Sequence, residues 1–188
     1  MFIGWHSRTG EYNPDDFLCR FIQACVRLGA APEIDMDLMI APVDYVSAAT
    51  VALSRRADAA GKNYHLTHAA RATWSDLLGW LGETQHRVAR VPYSSWRERL
   101  VAAAASEPGK GALRSLAPLF PPGEMDDSVT ELMSARRAPV FDSAATRADL
   151  APSGIACPPL DASLLRVFVE RLARDRQDRE ELYVARTA

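Results

Sequence analysis

Apolar residues recur at helical spacing in the first well-patterned stretch of the chain, which runs from Phe17 to Leu28. The residues just before it, 13–16, read Asn-Pro-Asp-Asp. They offer an N-cap side chain, a proline for the first helical turn and carboxylates at the positive end of a helix dipole. Gly29 stands where a left-handed C-cap is expected. The pattern therefore predicts a helix that begins at about Pro14 and ends before Gly29.

Three further segments have the patterns of strands and one has that of a helix. Residues 32–42 alternate apolar and acidic positions, which predicts an extended segment with one buried face. Residues 64–68 (YHLTH) and 86–91 are short and contain strand-favouring side chains, so we predict a strand in each. Asp44 is placed to cap a second helix that runs to about Arg56.

Two more helices are predicted from capping patterns. Thr73 followed by Asp76 is typical of a capping box, and Gly82 is placed to end that helix. Ser95 and Glu98 repeat the pattern for a fourth helix through residue 105.

Beyond residue 106 the chain is interrupted by prolines, which predicts short helices joined by irregular loops. One secure helix begins at Asp161, and its apolar stripe consists of Leu164, Leu165, Phe168 and Leu172. We expect residues 1–188 to form a single domain, with an α/β part at 1–106 and a helical, lid-like part at 107–188.

The length and the charge of the chain limit the classes of function that it can have. A chain of 188 residues with 48% apolar content can bury one core, and its net charge of -2 gives no electrostatic case for nucleic acid or an anionic membrane. No apolar run approaches the roughly 20 residues of a membrane span. The three cysteines form no CxxC pair, and His65 and His68 would lie on opposite faces of a strand. We expect a cytoplasmic protein with no metal site.

Several segments, in order, resemble the C-terminal half of a thioester reductase domain. They are HSRTG and EYNPDDFLCR near the start, MIAPVDYVSAATVALS, NYHLTHA, and the closing FDSAATRADLAPSGIACPPLDASLLRVFVERL. Such domains end nonribosomal peptide synthetases, some polyketide synthases and carboxylic acid reductases. They belong to the extended short-chain dehydrogenase/reductase superfamily.

The resemblance implies an α/β fold that is mostly helical with a few short strands, similar to the substrate-binding part of that superfamily and without a complete Rossmann domain. The family's glycine-rich turn between a strand and a helix is not found in this sequence. Neither is its tyrosine four residues before a lysine, for which Tyr93 and Arg97 are the nearest approximation. We therefore expect no redox cofactor on this chain.

Four side chains are our candidates for catalysis. His6 and Ser7 fall where the family borders its substrate channel, and an imidazole beside a hydroxyl can do acid–base or nucleophilic work. Adjacent residues rarely form such a pair, so lining the channel or packing are the alternatives. Asp44 is either a base or a helix cap, and Tyr45 either faces the acyl channel or is a core tyrosine.

Three more residues are expected to contact substrate: Thr9, Tyr12 and Met39. Cys157 is a further candidate nucleophile, although no histidine lies near it in sequence.

The resemblance implies work on an acyl or peptidyl chain held as a phosphopantetheine thioester on a carrier protein. Our first hypothesis is a cofactor-independent enzyme of natural-product biosynthesis that catalyses cyclisation, condensation or another release-stage reaction. The alternatives are a noncatalytic module that binds the carrier protein, and the C-terminal half of a split or truncated NADPH-dependent reductase. An unpaired strand edge at residues 64–69 would favour a homo-oligomer or a separate N-terminal half as partner.

Overall fold

The computed structural model of the chain describes residues 2–69, 72–84, 86–106, 112–120 and 141–187. The α-helices in these ranges are α1 (Phe17–Leu28), α2 (Val43–Ser54), α3 (Trp74–Gly82), α4 (Tyr93–Ser106), α5 (Ala112–Leu116), α6 (Ala144–Leu150) and α7 (Ala162–Thr187). Short 3-10 turns follow α5 and α6, at Ala117–Leu119 and Ala151–Ser153. The strands are β1 (Phe2–Gly4), β2 (Ala30–Pro32), β3 (Asp37–Leu38), β4 (Ile40–Pro42), β5 (Ala72–Thr73) and β6 (Ala89–Val91).

The strands described form three separate two-stranded ladders. β1 pairs with β4 and β2 with β6, both in parallel, whereas β3 and β5 are antiparallel. In the first ladder Phe2 stands opposite Ile40 and Gly4 opposite Pro42. This register brings the turn after β1 next to the first residues of α2, where the candidate site lies.

The predicted first helix is correct in its end but not in its start. Gly29 is the left-handed C-cap with φ 57°, and the helix begins at Phe17. Asp16 is its N-cap, because its carboxylate accepts a hydrogen bond from the Cys19 backbone N–H at 2.9 Å. Asn13 instead accepts from the backbone of Asp15 within a turn, so the helix starts three residues later than predicted.

Two other helix starts also differ from the prediction. α2 begins at Val43 after Pro42, which provides no side-chain cap, and it ends at Ser54. Asp44 therefore lies inside the first turn rather than at the N-cap, and its carboxylate is bound to Ser7 of another segment. α4 begins at Tyr93, ahead of the predicted Ser95 cap.

The two predictions for α3 differ in outcome. The capping box of Thr73 and Asp76 is present as predicted. Gly82 lies within the last turn of α3, and Glu83 is the C-cap.

The strand predicted at residues 64–68 does not form. Its backbone is held by a side chain instead, since the His65 N–H donates to Thr146 Oγ1 of α6 at 3.0 Å. The exposed strand edge expected at residues 64–69 is therefore wrong. The alternation over 32–42 is confirmed in its burial pattern, with Met36, Leu38 and Ile40 buried, although β3 and β4 divide the segment.

Two groups of buried side chains hold the fold. The larger one centres on stacked aromatic rings, among them Phe21 against Trp74 with centroids 4.6 Å apart. The smaller one lies along α2 and α6. Its fully buried members are Ala41, Tyr45, Ala49, Leu53 and Leu150.

The C-terminal helix α7 begins as predicted, with Asp161 capping it through the Leu164 N–H at 3.0 Å. The buried stripe is confirmed at Leu164, Leu165 and Phe168, and Leu172 is half-buried. The prolines between 121 and 140 lie outside the described residues. The division at residue 106 stays a prediction. Across the described ranges, none of the helices combines the length and the apolar character needed to cross a bilayer.

Candidate functional site

Ser7 and Asp44 meet where the turn after β1 passes the first turn of α2. The Ser7 backbone N–H donates to Asp44 Oδ1 at 2.9 Å, and the Ser7 hydroxyl donates to Asp44 Oδ2 at 2.6 Å. Two residues before Ser7, the Trp5 backbone carbonyl accepts from the Val43 N–H at 3.4 Å. These bonds fix the turn against the N-terminus of α2, so three of the four catalytic candidates lie together.

The turn from His6 to Glu11 is closed by its own backbone. The His6 N–H donates to the Glu11 carbonyl at 2.7 Å, and the Gly10 N–H donates to the His6 carbonyl at 3.0 Å. Gly10 has φ 71°, and a Cβ there would lie 2.4 Å from the Val167 carbonyl oxygen of α7. Only glycine allows this approach, which seats the turn on α7 as well as on α2.

His6 accepts a hydrogen bond at Nδ1 within this turn. Its Nδ1 accepts the Arg8 backbone N–H at 3.2 Å and lies 3.9 Å from Asp44 Oδ2. A neutral imidazole whose Nδ1 accepts carries its proton on Nε2. His6 therefore has an Nε2–H donor, and its side chain is 26% exposed. This donor can bind a carbonyl oxygen.

The Ser7 hydroxyl donates its proton to the Asp44 carboxylate rather than to an imidazole nitrogen. Burial of Asp44 by itself raises the pKa of that carboxyl, but the Ser7 hydroxyl and N–H and the nearby His6 outweigh it and lower the pKa below its usual value. A carboxylate with a lowered pKa is a weak base. The contact thus positions the turn, and Ser7 is not aligned as a nucleophile with His6 as its base.

Tyr45 points into the smaller core and is 4% exposed. Burial raises the pKa of its hydroxyl, with a smaller contribution from Cys157. Cys157 packs against this core, and burial together with Asp44 raises the pKa of its thiol to about 12. A thiol with so high a pKa is a poor nucleophile near neutral pH. Sequence reasoning did not foresee that Cys157 and Tyr45 lie within electrostatic range of each other.

The predicted substrate contacts lie in different surroundings. Thr9 is exposed, and its Oγ1 accepts the Glu11 N–H at 3.3 Å. Tyr12 is half-buried and packs edge-on against Phe168 of α7, with centroids 5.2 Å apart. Met39 is half-buried between β3 and β4. Their roles in substrate contact stay predictions.

A groove of about 290 Å³ lies at the other end of α2. It is lined by Thr50, Leu53, Ser54, Ala59, Lys62, Tyr64 and Leu66. Beside it, Asp149 accepts hydrogen bonds from the Tyr64 hydroxyl at 2.9 Å and from Lys62 Nζ at 3.4 Å. No periodic pattern of residues indicates this groove, because a segment without regular structure forms one of its walls.

The turn after β1 does not have the form of a dinucleotide-binding turn. A dinucleotide pyrophosphate needs a glycine-rich turn whose backbone approaches the phosphates at a helix N-terminus. The turn after β1 has one glycine, Gly10, and its open side is taken up by α7 of the same chain. The side chains in the described ranges form no cluster of three histidine, cysteine or carboxylate groups that could hold a metal ion.

No protein-family model matches the chain. Its sequence is 34% identical to the nonribosomal peptide synthetase FrzA of a Cladobotryum species over 182 residues, which are 91% of this chain and 17% of FrzA. It is 32% identical to aldehyde reductase LnaA of Aspergillus flavus, again over 91% of this chain and 17% of that protein.

Among solved structures, the terminal R domain of the myxalamid polyketide–nonribosomal peptide pathway superimposes with a TM-score of 0.76 at 32% identity. The match covers 93% of this chain. The chain is homologous to the terminal reductase domains of nonribosomal peptide synthetases. The reductase-domain resemblance and the mostly helical fold class predicted from the sequence are thereby confirmed.

The homology covers only part of each relative's length. The chain spans 42% of the myxalamid R domain and 17% of the curated relatives named above. This share fits the C-terminal half of a reductase domain. An R domain from Mycobacterium tuberculosis shares the fold at 17% identity, with a TM-score of 0.66.

Proposed function

We propose that this chain supplies the substrate-binding side of a thioester reductase in nonribosomal peptide or polyketide biosynthesis. It holds the acyl or peptidyl chain of a carrier-protein-bound phosphopantetheine thioester, and a nucleotide-binding unit elsewhere holds the reductant. The observation that carries this proposal is the match of 93% of the chain to 42% of a terminal R domain. The poor fit of the turn after β1 to a dinucleotide pyrophosphate supports the same assignment.

The turn after β1 provides groups that suit this role. The His6 Nε2–H is a donor for the thioester carbonyl, and Ser7 and Asp44 hold the turn at a fixed distance from α2. Tyr45 positions the helix from the core side rather than from the surface. In this proposal His6 contacts substrate, whereas Ser7, Asp44 and Tyr45 are positioning residues.

A second candidate function uses the same side chains without a reductant. The convergence of His6, Ser7 and Asp44 favours it, because an imidazole next to a carboxylate can move a proton in a cyclisation or condensation of the tethered chain. The hydrogen bond from Ser7 to Asp44 leaves no activated hydroxyl, so such a reaction would use acid–base chemistry alone. The substrate-binding role requires fewer groups and is the one we favour.

Carrier-protein binding is part of both candidates. One structural neighbour is a thiolation–reductase di-domain from an archaeal nonribosomal peptide synthetase, which shares the fold at 15% identity with a TM-score of 0.62. We propose that this chain also receives its substrate from a carrier protein.

Reconstitution tests the proposal. The protein is mixed with an acyl-loaded carrier protein and NADPH, with and without the separately produced nucleotide-binding half of a terminal reductase domain. We expect aldehyde or alcohol only when both halves are present. Release of a cyclised or condensed product without NADPH would instead establish the second candidate, and turnover of NADPH by this chain alone would contradict the proposal.

Variants of His6 identify the donor. Because Gln offers an N–H close to the position of Nε2, His6→Gln should retain most acyl binding, whereas His6→Ala should weaken it by roughly tenfold, the value of one well-placed hydrogen bond. Equal loss in both variants would exclude the Nε2–H as the donor, and unchanged acyl binding in His6→Ala would remove His6 from the substrate contacts.

A further inference from the structure

The groove at the C-terminal end of α2 is a second concave site, apart from the contact of Ser7 with Asp44. Asp44 and Ser54 lie ten residues apart on one helix, a separation of about 15 Å at 1.5 Å per residue. No residue of the turn after β1 lines the groove. The side chains of the groove alone therefore determine which ligand it can bind.

Three hydroxyl groups among the lining residues already donate their protons in hydrogen bonds within the chain. Thr50 Oγ1 donates to the backbone carbonyl four residues earlier at 2.7 Å, and Ser54 Oγ donates to the carbonyl three residues earlier at 3.0 Å. A carbonyl only accepts, so the proton in each bond belongs to the hydroxyl. The Tyr64 hydroxyl donates to the Asp149 carboxylate at 2.9 Å. What these hydroxyls offer a ligand is lone pairs, which bind an N–H or O–H donor.

The same groove offers one kind of donor. Lys62 Nζ donates to Asp58 Oδ2 at 2.8 Å and to Asp149 Oδ2 at 3.4 Å, which uses two of its three N–H groups. Arg56 also pairs with both carboxylates, so two cations face two anions and their charges cancel. A charged ligand would gain little here and would lose its hydration. The remaining Lys62 N–H suits a neutral acceptor such as a carbonyl.

The other lining side chains are apolar: Leu53, Ala59 and Leu66. A volume of about 290 Å³ accommodates a short chain rather than a large ring system. The ligand that fits combines aliphatic carbons, one N–H donor and one carbonyl. We propose that the groove binds a secondary amide within an aliphatic chain, with its N–H on a hydroxyl lone pair of the groove and its carbonyl on Lys62.

Backbone amide NMR of the full chain, titrated with N-butylisobutyramide, tests this inference. We expect saturable shifts confined to residues 50–66. Butyl isobutyrate, an ester of the same shape without the N–H, should bind about fivefold more weakly because one hydrogen bond is lost. Pantetheine and an N-acetylated dipeptide amide then distinguish the two sources of such an amide, a carrier arm and a peptidyl chain.

Three variants make the test specific. Ser54→Ala removes lone pairs from the groove, and Ser47→Ala makes the same change at an exposed position of α2 outside it. Of these two serine variants, only Ser54→Ala should weaken binding of the amide. Ala59→Leu fills the groove and should abolish binding while the spectrum stays dispersed. Equal affinity for amide and ester, absence of saturable shifts, or shifts centred on residues 6–10 and 43–46 would overturn the inference, and none of these outcomes bears on the reconstitution test.

Discussion

Ser7 donates two hydrogen bonds to Asp44 across 37 residues of sequence, one from its backbone and one from its hydroxyl. The pair is half-buried and joins the turn after β1 to α2. Asp44 lies inside the first turn of α2, after the Pro42 N-cap, and its carboxylate binds the turn after β1 rather than capping the helix.

Ser7→Ala removes the shorter of these bonds and should lower the free energy of unfolding by about 1 kcal/mol at neutral pH. Urea unfolding measures this change. Ser47→Ala, at an exposed position of the same helix, is the control and should leave stability within experimental error.

The contact between Ser7 and Asp44 also makes the free energy of unfolding depend on pH. The pKa of Asp44 is lower in the folded chain than its ordinary value, so the carboxylate stabilises the fold fully above that ordinary value, about 3.9. This stabilisation is lost as the pH falls through the lowered, folded-state pKa. In Ser7→Ala the pKa of Asp44 should rise towards its ordinary value, so the variant should lose less stability at low pH. Carboxyl-carbon NMR titration measures the pKa, and urea unfolding at several pH values measures the stability. An unchanged Asp44 titration in the variant would contradict this assignment.

Gly10 and Gly61 form a matched pair, since both have positive φ but only Gly10 faces another segment. Ala at either position must adopt a left-handed conformation, which costs about 1–2 kcal/mol. Gly10→Ala in addition places its Cβ 2.4 Å from the Val167 carbonyl oxygen, so it should destabilise the chain by more than Gly61→Ala. Equal unfolding midpoints in urea for the two variants would show that the turn does not rest on α7.

Three indole N–H groups donate hydrogen bonds to backbone carbonyls that are distant in sequence: Trp5 to Leu164, Trp74 to Pro32, and Trp96 to Ala30. Trp74→Phe leaves the Pro32 carbonyl without its donor and opens space beside Phe21, and it should cost about 2 kcal/mol or more.

Trp80→Phe is the control for this variant. Trp80 is half-buried on the same helix, α3, and its indole donates no hydrogen bond within the described part of the chain. The control should cost clearly less in the same urea experiment. If both changes cost the same, the hydrogen bond of Trp74 contributes nothing measurable.

Local signals in the sequence predicted the elements whose partners are close in the chain. The Thr73–Asp76 capping box, the Gly29 C-cap and the stripe of α7 depend on residues within a few positions of each other, and all three are confirmed. Asp44 was misassigned because a carboxylate early in a helix has the same local pattern whether it caps the helix or binds a distant serine.

Long-range contacts account for the remaining differences. Residues 64–68 have strand-like composition, but a strand forms only where a second strand pairs with it. The His65 N–H is instead bound by Thr146, 81 residues later. The groove depends on the same packing of residues 59–66 against α2, so no periodicity in the sequence could have indicated it.

We propose that this chain holds a carrier-bound acyl thioester and does not itself hold the redox nucleotide. Calorimetric titration of the purified chain with acyl-loaded carrier protein, and in parallel with NADPH, tests both parts at once. We expect saturable binding of the loaded carrier, weaker binding of the unloaded carrier, and no heat from NADPH. Stoichiometric, tight binding of NADPH, with no response to the acyl-loaded carrier, would contradict it.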